Sequence, residues 1–238
     1  MNDTPANQPA LAKVWFVTGT DTDVGKTVAS CALLQAFSSA SYRVAGYKPI
    51  ASGSQITSSG LCNSDALALQ RYSSVSLTYP EVNPLTLLEP TSPHIASRLE
   101  QRPIVVEQLS AGLTHLKQKA DIVVVEGAGG WFTPLSDRQN LSDWVTQQQI
   151  SVILVVGMKL GCINHALLTQ QALLSAGVHF SGWIANNIQA PNKHYSAYLE
   201  TLKQRLTAPM IGEIPYLTEP EEHSALQQYV DISTLSGF

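Results

Sequence analysis

The feature that most constrains the fold is a repeated alternation of short β-branched runs with longer segments of helical spacing. The runs are "KVWFVTGT", "YRVAGYKPI", "ADIVVVEGAGG", "SVILVVG", "FSGWIANNI" and "MIGEIPYL". Segments such as "TVASCALLQAFSSA" and "NHALLTQQALLSAG" separate them, and their apolar residues recur at helical spacing. Strands that alternate with helices predict right-handed crossovers and a doubly wound, mostly parallel α/β sheet flanked by helices.

Length and composition favour one compact domain. The chain has 238 residues and is 44% hydrophobic, which is enough to bury a sizeable core, so we expect residues 13–238 to form a single domain. Residues 1–12 are polar and contain proline, and we expect them to form a loose N-terminal tail without the features of a secretion signal. The longest apolar run, "SVILVVGM", is too short for a membrane span but suits a strand buried on both faces.

Charge and cysteine spacing argue against several classes of partner. The net charge of -4 leaves no basic field that would hold a polyanion, so we expect neither nucleic acid nor a membrane as a partner. The three cysteines form no C-x-x-C pair, and free thiols in a reducing compartment are the expected state. We therefore expect a cytoplasmic protein.

The stretch "VTGTDTDVGKT" predicts a phosphate-binding loop despite unusual glycine spacing. The pattern G-x-x-x-x-G-K-[ST] requires glycine where Thr20 stands, and Gly19 comes one place too early. A phosphate loop needs a preceding strand, inward backbone N–H groups, and a helix whose N-terminal dipole meets the anion. All three are predicted here, with Gly25 permitting close backbone approach and Lys26 starting the helix. Lys26 would reach the β- and γ-phosphates of a nucleotide, and the Thr27 hydroxyl would ligate Mg²⁺.

Two carboxylates and a second lysine belong to the region where ligands gather, beyond the carboxyl ends of parallel strands. Glu126 closes "IVVVE", the position of a Walker-B acid, and we favour a metal ligand over a structural role. Asp65, near the start of "SDALALQR", is equally consistent with a metal ligand and with an acid that stabilises a helix dipole. Lys48 in "GYKPIASG" either holds an anion or is a solvated surface lysine.

Seven segments in order resemble the dethiobiotin synthetase family. They are "GTDTDVGKT", "YKPIASG", "NSDALALQ", "EPTSPHIA", "VVEGAGGWFTPL", "LGCINHALLT" and "IGEIPYL", and the resemblance runs from about Phe16 to Leu217. The family resembled carries the same shifted phosphate loop. The resemblance implies a P-loop NTPase type of fold and an ATP-dependent cyclo-ligase of biotin biosynthesis. Its reaction converts 7,8-diaminopelargonate, CO₂ or bicarbonate, and ATP into dethiobiotin, ADP and phosphate through a carbamate and a carbamic–phosphoric anhydride.

The resemblance also assigns roles at the phosphate and metal site. It implies that Lys26, Lys48 and Thr27 are catalytic, and that Thr27, Asp65 and Glu126 hold Mg²⁺. It further implies a set of residues that contact the co-substrate ATP. These are Asp23, Val24, Gly25, Lys26, Thr27, Val28, Asp65, Glu126, Gly127, Ala128, Gly129, Asn186, Asn187, Pro215, Tyr216, Leu217 and Glu222.

Three positions near the nucleotide qualify this assignment. Asp23 stands where many members of the family resembled have Glu, and Asn187 stands where relatives are often basic, so the roles of both stay open. Within "EPEEH" we favour Glu222 over Glu221 as the acid beside adenine. No N-K-x-D guanine motif occurs at "NNIQ", which favours ATP.

For the second substrate, the resemblance implies a site made by two subunits. Ser52 corresponds to a contact near the reacting diamine, and the segment Gly161, Cys162 and Asn164 together with Tyr198 corresponds to a site for its carboxylate. Backbone N–H groups at a helix start suit an anion of this kind. In the family resembled, the neighbouring subunit supplies the carboxylate site. A homodimer with its active site at the subunit interface is therefore implied.

Two further segments near this edge of the sheet are less informative. We favour core packing for Trp131 and Phe132 over a role as walls for the aliphatic chain of the diamine. The proline-rich stretch from Pro80 to Pro93 is expected to be an ordered loop near the substrate.

Two rival functions are weighed against the synthetase. A partitioning-type ATPase switch would carry a second lysine early in the phosphate loop, whereas Asp21 and Thr22 occupy that region. An amidotransferase-type ligase of cobyrinate synthesis shares the loop, but normally carries a further glutaminase domain for which this chain has no room. A synthetase should consume ATP only when the diamine is present, whereas a switch should not depend on it.

Overall fold

The structure is a computed structural model that describes residues 12–190, 193–218 and 220–235. The predicted tail, residues 1–12, lies outside the described residues except for Ala12. The described strands are β1 (Lys13–Gly19), β2 (Val44–Tyr47), β3 (Ile50–Ala51), β4 (Gln55–Thr57), β5 (Gly60–Cys62), β6 (Leu85–Thr86), β7 (Ile122–Glu126), β8 (Ser151–Gly157), β9 (Phe180–Asn186) and β10 (Met210–Ile214).

The described α-helices begin with the one that follows the phosphate loop. They are α1 (Lys26–Ser39), α2 (Ser64–Tyr72), α3 (Tyr79–Val82), α4 (Pro93–Leu99), α5 (Val106–Lys119), α6 (Leu141–Gln147), α7 (Cys162–Ser175) and α8 (Tyr195–Arg205). Two 3₁₀ segments, Pro220–Tyr229 and Ile232–Thr234, come after the last strand. None of the described helices has the length and apolar character needed to cross a membrane.

Six strands form one parallel sheet in the order β10-β9-β8-β1-β7-β2. The chain leaves β1 for the edge strand β2, returns to β7, and then builds β8, β9 and β10 on the other side of β1. The prediction of a doubly wound, mostly parallel α/β sheet is confirmed. Because β1 lies where the winding changes direction, the crevice beyond its carboxyl end is the expected place for a ligand.

Helices cover both faces of this sheet because the strand residues alternate between two hydrophobic clusters. On β1, Trp15 and Val17 belong to the cluster that includes α1 and α2, whereas Phe16 belongs to the cluster that includes α5, α6, α7 and α8. Helix α1 is buried on nearly all sides because the Pro220–Tyr229 segment also packs on it, where the Leu226 N–H donates to Gln35 Oε1 at 2.8 Å. This burial fixes the helix that starts at the phosphate loop.

The proline-rich segment contains more regular structure than the loop predicted for it. It includes the end of α3, the start of α4, and strand β6, which pairs in parallel with β3. The loop prediction was wrong for β6, because backbone pairing with a strand far away in sequence gives these residues no local signal, and it also missed the end of α3. Residues 87–92 contain neither helix nor strand, as the prediction requires. The pairing continues beyond β3, where the N–H of Gly53 donates to Glu89 O at 3.0 Å, and so holds the neighbouring Ser52 opposite the start of α4.

Candidate active site at the carboxyl ends of the strands

The phosphate loop lies between β1 and α1, as its sequence predicts. Gly25 has a φ of 83°, in the left-handed region, and a Cβ atom at this position would fall 2.0 Å from Asn186 Nδ2. Only glycine fits both the backbone conformation and this close approach. No side chain caps the start of α1, and its terminal N–H groups therefore suit a phosphate.

Asn186 supports this loop from the end of β9. Its Nδ2 donates to the backbone carbonyl of Val24 at 2.8 Å, and its side chain is almost fully buried. The sequence places Asn186 near adenine but gives no sign of this brace, since the contact joins residues 162 positions apart. Val24 lines neither the cleft nor the pockets beside it, and its side chain is fully buried in the core.

The charged residues predicted from three separate segments meet in one cluster. Lys48 Nζ lies 2.5 Å from Glu126 Oε1, 2.9 Å from Asp65 Oδ2 and 3.4 Å from the Gly127 carbonyl oxygen. The Thr27 hydroxyl donates to the same Glu126 Oε1 at 2.8 Å. The Lys48 side chain is only 5% exposed, so the alternative of a solvated surface lysine is wrong.

Strand register and one helix cap bring this cluster together. Glu126 pairs with Val17 in the register of β7 against β1, which sets its carboxylate beside the phosphate loop. Asn63 caps α2, and its Oδ1 accepts hydrogen bonds from the N–H groups of Asp65 and Ala66 at 3.0 and 3.3 Å. Asp65 is thus held in the first turn of α2, close enough to reach Lys48.

The electrostatics of the site shift the pKa values of its two lysines in opposite directions. Burial opposes the charged form of Lys48, but the carboxylates of Glu126 and Asp65 outweigh it and raise the pKa of Lys48. Burial likewise opposes charge on Asp65, yet Lys48 prevails and lowers the pKa of Asp65. Burial and the nearby Lys48 ammonium lower the pKa of Lys26, whose Nζ donates to the carbonyl of Asp21 at 3.1 Å. Lys26 thus contacts a backbone carbonyl, whereas Lys48 contacts two carboxylates.

A cleft of about 420 Å³ contains most of the predicted phosphate and metal residues. It is lined by Thr22, Asp23, Gly25, Lys26, Thr27, Lys48, Ala51, Ser52, Asn63, Asp65, Glu126, Ala128 and Gly129. Gly127 lies next to it, where its carbonyl faces Lys48 and its N–H donates to Val17 O at 3.0 Å. The structure thus brings Ser52, predicted from the resemblance alone, into the same space as both lysines.

A smaller pocket of about 240 Å³ adjoins the cleft on the side of β9 and β10. It is lined by Asp23, Gly25, Val28, Asn186, Asn187, Ile188, Pro215, Tyr216 and Leu217. Every predicted base-side residue except Glu222 lines this pocket, and Ile188 is an addition that the sequence did not indicate. Glu222 falls in the Pro220–Tyr229 segment, and its side chain lies outside the described residues.

On the opposite side the cleft opens into a space of about 750 Å³ next to Ser52 and the segment Pro90–Pro93. Phe132 lines this space and is 63% exposed, so the expectation that it packs in the core was wrong. Trp131 is buried and packs edge-on against Phe16, as expected. The two neighbours differ because the chain turns after the glycines of "EGAGG", which sends one ring inward and the other to the cleft.

The residues predicted to hold Mg²⁺ fit that ion. Within the described ranges no group of three or more His, Cys, Asp or Glu side chains could hold a metal without other ligands. This site offers two carboxylates and one hydroxyl, so a metal here would need further ligands. Mg²⁺ usually keeps several waters and takes one or two carboxylates beside substrate phosphates. Glu126 Oε2 is buried and has no hydrogen-bond partner among the described residues, which leaves an acceptor oxygen available in the site.

Comparison with known proteins identifies the family. A family model described as an AAA domain matches residues 13–224. The ATP-dependent dethiobiotin synthetase BioD 1 of Escherichia coli (strain K12) is 59% identical over 225 residues, which cover 94% of this chain and 100% of that protein. The ATP-dependent dethiobiotin synthetase BioD of Serratia marcescens is 56% identical over 227 residues, which cover 95% of this chain and 100% of that protein. The chain belongs to the ATP-dependent dethiobiotin synthetase family.

Membership of this ligase family confirms the resemblance seen in the sequence and decides against both rival functions. Among solved structures, the MinC:MinD cell division complex of Aquifex aeolicus is similar with a TM-score of 0.55 and 17% identity, covering 91% of this chain and 86% of that chain. MinD from the same organism gives a TM-score of 0.53 at 18% identity, covering 91% and 87%. These likenesses show the fold alone, and together with the AAA domain model they support the predicted fold class.

The residues that the dethiobiotin synthetase resemblance assigns to the carboxylate lie apart from the cleft. Gly161, Cys162, Asn164 and Tyr198 line neither the 420 Å³ cleft nor the 750 Å³ space of the same chain. Gly161 precedes α7 with a φ of 94°, and no side chain caps this helix. Cys162 is buried, and burial raises the pKa of its thiol, which suits a packing role.

Proposed function

We propose that the protein closes the ureido ring of dethiobiotin from 7,8-diaminopelargonate and CO₂, at the expense of ATP, as a step of biotin biosynthesis. The observation that carries this proposal is the cluster of Lys48, Asp65 and Glu126 between the phosphate loop and Ser52. It puts a buried cation where a nucleotide phosphate and a small anionic substrate would meet. The family membership supports the same reaction.

The reaction proceeds in three chemical steps. One amine of the diamine attacks CO₂ and loses a proton to give a carbamate. A carbamate oxygen then attacks the γ-phosphorus and ADP leaves, which forms a carbamic–phosphoric anhydride. The second amine attacks the carbonyl carbon, loses its proton and expels phosphate, which closes the ring. Phosphoryl transfer of this kind needs positioning and charge neutralisation more than covalent help from the protein.

The described residues divide this work between them. Lys26, at the start of α1, stabilises the β- and γ-phosphates, and the uncapped helix start donates N–H groups to them. Lys48 stabilises the negative charge that moves from the carbamate to the leaving phosphate. Thr27, Asp65 and Glu126 would hold Mg²⁺, which supplies further neutralisation of the phosphate oxygens.

The pocket of about 240 Å³ accommodates the adenine ring in this proposal. The Asn186 amide nitrogen is engaged by Val24, so its carbonyl oxygen is the group available to accept from the adenine amino group. Asn187 serves a different purpose, since its Nδ2 donates to Ile214 O at 3.0 Å and to Tyr195 Oη at 3.1 Å. We assign it to holding the loop after β10 in place.

The carboxylate of the diamine is bound by a second copy of the chain in this proposal. The start of α7 carries exposed Asn164 and exposed Leu160, and Leu168 one turn later is 63% exposed. Polar N–H groups flanked by exposed leucines suit a subunit contact that also holds an anion. The predictions of a cytoplasmic location and of no nucleic acid or membrane partner rest on composition.

Oxygen tracing tests the proposed intermediates. With ¹⁸O-labelled CO₂, ATP, Mg²⁺ and the diamine, mass spectrometry should find dethiobiotin and one labelled oxygen in the released phosphate, because the bridging oxygen leaves with phosphorus. Unlabelled phosphate formed together with dethiobiotin would contradict the anhydride. The measurement must be fast compared with exchange of CO₂ oxygen with water.

Subunit complementation tests the shared site. Lys26→Met removes the phosphate role and Asn164→Asp places a negative charge at the carboxylate site. Neither variant alone should be active. A mixture that exchanges subunits should regain roughly a quarter of wild-type activity, because half of the dimers then contain one intact site. No recovery, with exchange shown by native mass spectrometry, would contradict a site built from two subunits.

A further inference from the structure

The Lys48 ammonium has three N–H donors, and the chain supplies an acceptor for each of them. The acceptors are Glu126 Oε1 at 2.5 Å, Asp65 Oδ2 at 2.9 Å and the Gly127 carbonyl oxygen at 3.4 Å. A lysine held in this way has no donor left for a carbamate or phosphoryl oxygen. Before Lys48 can act on a substrate, at least one of these bonds has to open.

The carboxylates that hold Lys48 are the same two that are assigned to Mg²⁺. Both the Lys48 ammonium and the Thr27 hydroxyl converge on Glu126 Oε1. The Glu126 side chain is fully buried, so water screens little of the repulsion between an ammonium and a divalent cation at its oxygen atoms. The two cations therefore compete for one small anionic site.

We propose that Lys48 is the internal counter-ion of Asp65 and Glu126, and that a divalent cation displaces it. Arrival of the metal with the nucleotide then frees the ammonium to turn toward the reacting oxygens in the same cleft. Lys48 in this way links metal binding to the availability of the catalytic cation. The inference rests on the metal assignment of the proposed function and extends it to the order in which the two cations use the site.

Lys26 offers a matched control for this proposal. It carries the same charge and lines the same cleft, but its Nζ donates to the backbone carbonyl of Asp21 at 3.1 Å. Neutralising Lys26 changes the long-range field at the carboxylates and leaves their direct contacts in place. A comparison of the two lysines therefore separates direct competition from a change of net charge.

The test is Mn²⁺ binding, measured by electron paramagnetic resonance without nucleotide, in the wild type and in the Lys48→Met and Lys26→Met variants. We expect the Mn²⁺ dissociation constant to fall at least about tenfold in Lys48→Met and to change less than about threefold in Lys26→Met. An unchanged constant in Lys48→Met would overturn the proposal. Equal tightening in both variants would overturn it as well, since net charge alone would then explain the effect.

A second series with ATP distinguishes this inference from the metal assignment beneath it. Suppose that the wild type binds Mn²⁺ in the presence of ATP, but that without ATP Lys48→Met binds Mn²⁺ no more tightly than the wild type. The counter-ion role of Lys48 then fails, and the metal site stands. If the protein binds no Mn²⁺ beyond that carried by ATP in solution, both fail. Lys48→Gln keeps two hydrogen-bond donors without the charge, so it replaces Lys48→Met if that variant does not fold, with the same tightening expected.

Discussion

Two ion clusters of similar composition occur in very different surroundings. In the first, the Lys48 ammonium bridges Glu126 and Asp65, and the lysine and Glu126 side chains are 5% and 0% exposed. In the second, the Glu81 carboxylate bridges Lys119 and His115 on the surface, where the histidine side chain is 49% exposed. In each cluster one charged side chain contacts two partners, and the burial of Lys48 and Glu126 is the main difference between the clusters.

The surface cluster has a local structural task. Glu81 closes the capping box of α3 by accepting from the Thr78 N–H at 2.8 Å, and its contacts with His115 and Lys119 tie α3 to α5. These partners, Lys119 first, hold the pKa of Glu81 well below its usual range. Water screens such a cluster and replaces a lost partner at little cost.

The buried cluster has no comparable local task, and losing one partner leaves a charge without water around it. Burying the side chains of Lys48 and Glu126 is expensive, whereas the Asp65 side chain is 38% exposed and reaches the solvent of the cleft. Buried charged side chains at the end of β7, beside a phosphate loop, are typical of a functional site. Burial and position in the sheet, more than the kind of contact, therefore distinguish the Lys48 cluster from the Glu81 cluster.

Activity should separate the two clusters most sharply. Glu126→Gln removes the carboxylate that contacts Lys48 and is assigned to the metal, and we expect kcat/KM to fall by about a thousandfold or more. The matched change Glu81→Gln should leave kcat/KM within about twofold, because Glu81 lies outside the cleft. Steady-state formation of dethiobiotin measures both. Similar losses in the two variants would mean that the Lys48 cluster matters no more for activity than the surface cluster.

Stability should differ next. Lys48→Met leaves two carboxylates facing each other, and we expect a loss of about 3 kcal/mol in the free energy of unfolding. Lys119→Met on the surface should cost less than about 1 kcal/mol. Urea denaturation at neutral pH gives both values. An equal cost in the two variants would mean that burial does not set the strength of the Lys48 cluster.

A smaller change is expected in how stability depends on pH. In the wild type the pKa of Asp65 lies below the ordinary 3.8, so its contribution to stability is present above that value and is lost as the pH falls through the lowered one. Without Lys48, burial and Glu126 should raise this pKa. The unfolding free energy of Lys48→Met should then increase on acidification from about pH 7 to about pH 5, where the wild type stays nearly flat. Parallel curves for the two proteins would contradict this.

Much of the site was predictable because its parts carry local signals. The phosphate loop is contiguous, so Gly25, Lys26 and Thr27 follow from one stretch of sequence and the helix after it. The rule that ligands gather at the carboxyl ends of parallel strands also identified Lys48 and Glu126 as candidate site residues. Their general neighbourhood therefore did not depend on knowing the packing of the sheet.

The remaining features depend on contacts between distant segments. That Lys48 lies between two carboxylates follows from the register that pairs Val17 with Glu126 and from the Asn63 cap of α2. The hydrogen bond from Asn186 to Val24 and the exposure of Phe132 depend on how loops pack at the carboxyl ends of the strands. No pattern of hydrophobic residues in a single sequence encodes such contacts between loops.

We infer that this cleft couples ATP cleavage to ring closure. This coupling is tested most directly by measuring phosphate release from ATP and dethiobiotin formation in the same reaction, with bicarbonate and Mg²⁺, with and without 7,8-diaminopelargonate. We expect one phosphate for each dethiobiotin and almost no phosphate without the diamine. Phosphate release that is equally fast without the diamine, and no dethiobiotin when it is present, would show that the cleft does not couple the two reactions.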